Sequence, residues 1–224
     1  MAEGPENVVA LRGAVPLRVV GPEGVPLRER SDESLMLEQG QGSEEAFEEL
    51  VRRHQKGVLN YTFRMVQNRQ VAEELTQEVF LALVKNGQRY EPRAKFTTYL
   101  YAIASNIVSK EWLRAKRRPR LLSFSRFMGG RDQDDGFNPL ENVNDEKANV
   151  LHAYQRGEVT EAVNEALRQL PDHQREAFVL RRFKDVSYED MAAITNAPVG
   201  TLKSRVVRAE RALRPLLARF REYV

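Results

Sequence analysis

Ser187-Tyr188-Glu189-Asp190-Met191-Ala192-Ala193-Ile194-Thr195-Asn196-Ala197-Pro198-Val199-Gly200-Thr201-Leu202-Lys203-Ser204-Arg205-Val206-Val207-Arg208-Ala209-Glu210-Arg211-Ala212-Leu213 is the stretch that decides the fold. Ser187 with Asp190 three residues on makes a near capping box, so a helix starts here. Met191, Ala192 and Ile194 supply its apolar side. Thr195-Asn196-Ala197 reads as a tight turn, because Asn196 tolerates the left-handed conformation. Pro198 suits the start of a second helix, where a missing N–H costs nothing. Leu202, Val206, Ala209 and Leu213 recur at four, three and four residues, which makes one face core. The other faces carry Lys203, Ser204, Arg205, Arg208 and Arg211. Short helix, turn and basic second helix together read as a helix-turn-helix that enters the major groove. Lys and Arg donate to guanine edges there, and the remaining cations meet phosphate.

Working upstream, the chain predicts a helix through Val163, Ala166, Leu167 and Leu170 that begins near Val159 and stops at Pro171. Asp172 is placed to cap the next helix, whose core is Ala177, Phe178 and Leu180. Between Pro119 and about Arg156 the periodicity is lost. Gly129, Gly130, Gly136 and Pro139 punctuate a run in which Asp132, Asp134, Asp135, Glu141, Asp145 and Glu146 have no basic residue among them. That composition reads as a linker.

Residues 31–118 return to a helical period. Ser43 caps a helix with Glu44 and Glu45 in its first turn, where negative charge meets the positive end of the dipole. Phe47, Leu50, Val51, Val58 and Met65 form its apolar face. Asn68 caps a second helix with Ala72, Leu75, Val79, Ala82 and Leu83 inward and Gly87 as its stop. After a loop containing Pro92, a long third helix starts near Phe96 and carries Leu100, Ile103, Ala104, Ile107 and Val108 until Pro119 ends it. The fold class expected is all-α: two small helical bundles, residues 31–118 and 158–224, joined by the acidic linker 119–157. Residues 1–30 hold scattered Gly and Pro and read as a flexible tail. Inside it Val15-Pro16-Leu17-Arg18 recurs as Val25-Pro26-Leu27-Arg28, a docking peptide or a coincidence of composition.

Composition excludes several kinds of chemistry. The 224 residues contain no cysteine, which removes disulfides, thiolate nucleophiles and Cys-based zinc sites. His54, His152 and His173 are far apart and show no metal spacing. His54 lies beside the first helix's core stripe and reads as a core-edge residue. No phosphate-cradling glycine loop, nucleophile elbow or paired-carboxylate motif occurs, so neither enzymatic activity nor a cofactor is expected. No apolar run is long enough to span a membrane, and Glu3, Glu6, Arg12 and Arg18 rule out a secretory signal. The chain reads as soluble and cytoplasmic.

Ser187–Ala192 followed by Pro198–Arg205 resembles region 4 of extracytoplasmic-function (group IV) bacterial sigma factors, with Leu170-Pro171 and Leu180-Arg181 at matching distances upstream. Ala72-Glu73-Glu74-Leu75-Thr76-Gln77-Glu78-Val79-Phe80 is similar to region 2.2. Phe96-Thr97-Thr98-Tyr99-Leu100-Tyr101-Ala102-Ile103-Ala104-Ser105-Asn106 is similar to regions 2.3 and 2.4. The resemblance covers about residues 31–118 and 158–221. It implies a sigma factor that binds core RNA polymerase, opens the −10 element with region 2 and reads the −35 element with region 4.

By the same resemblance Glu74, Gln77 and Glu78 would dock on the β′ clamp helices, although by composition alone that face is also consistent with mere solvation. Region 4 would meet the β flap. Tyr99, Asn106, Lys110, Arg114 and Arg117 would contact −10 DNA, with Asn106 and the 88–95 loop forming a pocket for a flipped base. The structural alternative for Asn106 is an amide that satisfies backbone groups between helices. The basic end of the third helix also carries Lys116, Arg118 and Arg120, and would make affinity salt-dependent. Trp112 among them offers a stacking surface for unpaired bases. Position 99 departs from the family, with Tyr where Trp is usual. Arg181, Thr201, Lys203, Ser204, Arg205 and Arg208 would contact the −35 element. The linker would thread toward the polymerase cleft, as a nucleic-acid mimic or as a plain tether. An anti-sigma factor is the further partner implied. The rival reading is a stand-alone helix-turn-helix regulator with an N-terminal dimerising or sensing domain, which leaves Glu74–Glu78 and the basic third helix unexplained.

Overall fold

A computed structural model describes residues 25–117 and 150–223, with side chains placed for 25–117 and 157–220. Eight α-helices account for most of the described residues, and no strand occurs among them. Four belong to the N-terminal half: α1 (Asp32–Gly40), α2 (Glu44–Val66), α3 (Arg69–Asn86) and α4 (Phe96–Arg117). The C-terminal half holds α5 (Val150–Arg168), α6 (Asp172–Phe183), α7 (Tyr188–Thr195) and α8 (Val199–Leu216). Most of the 1–30 tail and of the acidic linker, including Pro119, the first Val-Pro-Leu-Arg copy and Arg118 and Arg120, lies outside the described residues.

Side-chain caps start the helices where the sequence puts them. Ser43, Asn68 and Ser187 each accept from the N–H three residues on, at 3.2, 2.9 and 3.0 Å. Such a cap stabilises a helix by about 1 kcal/mol. Asn196 ends α7 in the left-handed conformation, with φ of 52°. In α8 the predicted stripe of Leu202, Val206, Ala209 and Leu213 is buried.

Several boundaries differ from the sequence reading. Helix α1 had no periodic signal, because Leu35, Met36 and Leu37 are consecutive and two of them are fully buried. Its cap is Ser31, which accepts from the Ser34 N–H at 3.2 Å. The last residues of the expected tail are packed: a 3-10 turn at Leu27–Glu29 lies against α2. There Arg53 donates to the carbonyls of Leu27, Arg28 and Arg30 at 2.8, 3.0 and 2.8 Å. The second Val-Pro-Leu-Arg copy is therefore a docked turn. Helix α5 starts at Val150, ahead of Val159. Pro171 rather than Asp172 is the N-cap of α6, and Asp172 is a first-turn acid. Gly87 does not stop α3 by turning left-handed; it stays right-handed, with φ of −55°. Close packing constrains Gly40 beside it, where a Cβ would come 2.5 Å from the Gly87 carbonyl oxygen.

The two halves are packed together. Helix α7 lies on α4, and α6 lies against α2. The seam is polar at its centre: Glu176 of α6 is 2% exposed and accepts from Tyr61 of α2 and Ser105 of α4, at 3.0 and 2.6 Å. Arg175 beside it donates to the Leu167 and Leu170 carbonyls that end α5, at 2.9 and 3.0 Å. The same guanidinium reaches the Met65 carbonyl at the end of α2.

Candidate protein- and nucleic-acid-binding surfaces

Helix α3 buries Ala72, Leu75, Val79 and Leu83, so geometry turns Glu74, Gln77 and Glu78 to the opposite side, where all three are exposed. The structure adds what the sequence reading missed: Leu81 is 58% exposed and Val84 44%, on the same side. Their signal was present in the sequence, one turn beyond Gln77 and Glu78, but was masked by the general apolar character of Phe80–Val84. An acid-amide face continued by two uncovered aliphatics suits a protein partner, because desolvating apolar surface drives association.

On α4 the candidate residues separate into two groups. Lys110, Arg114 and Arg117 are exposed at its C-terminal end, with Glu111 3.7 Å from Arg114. Tyr99 is half-buried against Tyr90, ring centroids 5.0 Å apart, and burial raises its phenol pKa. Asn106 is half-buried on the next turns. Trp112 is not a stacking surface in this conformation. It is only 9% exposed, packs edge-on against His173 of α6 and directs its indole N–H toward the Met65 carbonyl, 3.5 Å away. Lys116, one turn on, pairs with Asp172 of α6 at 2.9 Å.

The loop between α3 and α4 is set from α1. Glu33 accepts the Phe96 N–H at 2.7 Å and so caps α4, while Gly87 abuts Gly40. His54 is the expected core-edge residue: it shares a 2.8 Å contact with Asp32 and packs on Phe96.

In the C-terminal half, Lys203 and Arg208 project from α8 into solvent, and Thr201, Ser204 and Arg205 are half-exposed beside them. The Ser204 hydroxyl donates to the Thr201 carbonyl at 2.8 Å, so it offers an outside ligand only acceptor capacity. Arg181 is held by Asp185 and by the Val186 carbonyl, each at 3.2 Å. Tyr188 was missed as an organiser. Arg181 and Lys203 lie 5.4 and 5.6 Å from its ring centroid, within cation–π range, and the ring thereby aligns two cations from different helices. Val207, 53% exposed, lies among the cations of α8. Among the described residues no cluster of His, Asp and Glu is arranged to hold a metal ion.

Comparisons with known proteins match each half of the chain to a family. Residues 50–118 match the family described as Sigma-70 region 2, and residues 160–213 match Sigma-70, region 4. RNA polymerase sigma-H factor of Pseudomonas aeruginosa is 30% identical over 197 residues, 85% of this chain and 98% of that protein. RNA polymerase sigma factor CarQ of Myxococcus xanthus is 32% identical over 177 residues, 79% of this chain and 91% of that one. Among solved structures, the sigma factor RpoE in complex with the anti-sigma factor NepR from Bartonella quintana superposes with a TM-score of 0.56 at 25% identity. It covers 77% of this chain and 96% of that one. The chain belongs to the sigma-70 family, within its extracytoplasmic-function group, and is an RNA polymerase sigma factor that directs promoter-specific transcription.

Proposed function

We propose that the labour is divided by helix. Helix α3 docks on the β′ clamp helices of core polymerase through Glu74, Gln77 and Glu78, and Leu81 and Val84 extend that contact. Tyr99, Asn106, Lys110, Arg114 and Arg117 of α4 receive the −10 element, and the half-buried Asn106 faces a base drawn out of the stack. Helix α8 reads the −35 element with Lys203, Arg205 and Arg208, while Thr201 and Arg181 position phosphate and Ser204 accepts from a base amino group. The domains assigned to these tasks are residues 31–118 and 158–224, with 119–157 as tether.

The observation that carries this reading is the uncovered apolar pair Leu81 and Val84 beside Gln77 and Glu78. A solvated face has no use for it, and a DNA-reading face would be basic. Sigma factors are in general non-catalytic initiation factors, and no enzymatic role is assigned to this chain. Among the described residues no helix is long and apolar enough to cross a membrane. Action in the cytoplasm, alongside polymerase, fits the relatives. An anti-sigma factor is a further partner, by analogy with the RpoE–NepR complex.

The test is reconstitution. Core polymerase with this chain should transcribe from a subset of genomic fragments that core alone ignores. Failure of the chain to co-elute with core would overturn the assignment of α3.

A further inference from the structure

Leu113 is 56% exposed on α4, a helix whose other large apolar side chains are buried or half-buried. A lone exposed leucine is ordinary; the neighbours of this one are not. It stands seven residues beyond Asn106, which at 3.6 residues per turn brings the two within about 20° of each other around the helix. Lys110 one turn before it, Arg114 beside it and Arg117 one turn after it are all exposed. Glu111, the only acid between Asn106 and Arg117, is buried. Leu81 and Val84 of α3 continue an acid-amide face, whereas Leu113 is set among cations. Charge therefore assigns the two apolar surfaces to different partners, and the surroundings of Leu113 are complementary to the phosphates of a nucleic acid.

The order of the chain fixes the direction of α4 along a promoter. The proposed tether to the −35 reader leaves from the C-terminal end of α4, and the −35 element lies upstream of the −10 element. That end of the helix therefore points upstream. Transcription starts downstream, so DNA on the upstream side of the flipped base is still duplex when the strands open. Seven residues of helix are about 10 Å long, roughly three base steps of 3.4 Å. Leu113 thus meets a base pair about three steps upstream of the base proposed for Asn106. An α-helix enters the major groove, and of the four bases thymine alone presents a methyl group there.

We propose that Leu113 is a specificity-determining residue: it packs against the C5-methyl of a thymine in the duplex at the upstream edge of the −10 element. Lys110, Arg114 and Arg117 hold the flanking phosphates and so press the helix into the groove. The inference rests on the reading of α4 as the −10 helix.

The test uses holoenzyme assembled from core polymerase and the full chain. In a selection on promoters randomised upstream of the position that Asn106 sets, the parent should enrich thymine about two to four steps away. Leu113→Ala should lose that enrichment and keep the preference set by Asn106. At the enriched position, deoxyuridine in place of thymidine deletes the methyl and keeps every Watson–Crick hydrogen bond. It should lower transcription by the parent about threefold to fivefold, the worth of one buried methyl group. Transcription by Leu113→Ala should be the same on both promoters. Because Leu113 is exposed, the variant should match the parent in circular dichroism.

A parent that selects no thymine there, or that transcribes equally from both promoters, overturns the inference. So does a Leu113→Ala variant that keeps the thymine preference. Loss of core binding by that variant would place the leucine on the polymerase and overturn it as well. If Asn106→Ala leaves every −10 preference intact, the reading of α4 fails and takes this inference with it; a failure confined to the Leu113 arms leaves that reading standing.

Discussion

Arg175 donates its guanidinium to the main-chain carbonyl of Met65, 2.5 Å away, so one side chain of α6 ties the end of α2 to the end of α5. Helix ends leave carbonyls without partners, and Arg175 serves three from α5 and its following turn together with the one from α2. Burial lowers its pKa, yet nothing in the biological range deprotonates it. Arg175→Met keeps the aliphatic stem and strands those carbonyls. It should destabilise the full chain by about 2–4 kcal/mol, seen as a lower urea midpoint; a midpoint within error of the parent would refute the tie.

Removal of the α3 face should separate polymerase binding from folding. Gln77→Ala with Glu78→Lys, and independently Leu81→Asp, should each weaken core binding by about tenfold or more. Circular dichroism and melting temperature should be nearly those of the parent, since all three side chains are exposed. Equal affinity for core in a competition assay against a second sigma factor would count against this face.

Lys203→Ala and Arg208→Ala act on the other reader. Each should reduce transcription from promoters with an intact −35 element and relax the preference for the bases of that element. Substitution of Asn106 should instead change −10 base preference in a randomised-promoter selection. If the α8 variants shift −10 preference, the assignment of halves to elements is wrong.

Stability should rise with pH between about 8 and about 10. Burial first, and the nearby Arg64 guanidinium second, lower the Lys184 ammonium from its ordinary 10.5 to about 8. Below that pH the folded chain buries a charged ammonium and bears the full penalty. As pH climbs toward 10.5 the folded form sheds its proton before the unfolded one, and folding gains about 1–3 kcal/mol. Tyr61 and Tyr101, both raised by burial, act in the opposite direction at higher pH. A pH series of thermal melts should show the rise in the parent, and Lys184→Met should flatten it. The same slope in both proteins would exclude Lys184 as its source.

Elements whose burial is periodic were legible in the sequence. The stripes of α3, α4 and α8 and the caps Ser43, Asn68 and Ser187 stand where spacing and side-chain chemistry put them. Helix α1 was not, because consecutive Leu35, Met36 and Leu37 carry no helical period. Exposed Leu81 and Val84 were hidden for a related reason: hydropathy alone does not tell a core aliphatic from a docking one. The seam was out of reach altogether. Glu176, Ser105 and Tyr61 are ordinary residues on three helices, and only tertiary structure makes one carboxylate their shared acceptor.

Helix α1 carries none of the proposed DNA contacts, yet it stands under both ends of the loop proposed to take the flipped base. Gly40 seats the near end at Gly87, and Glu33 fixes the far end at the Phe96 amide. The loop is thus an arch on abutments cut from a single block, and its span is set by the rise of α1 between those two points. Drift of sequence within α1 would re-pitch the arch and retune promoter choice from beneath, without touching a residue that meets a base.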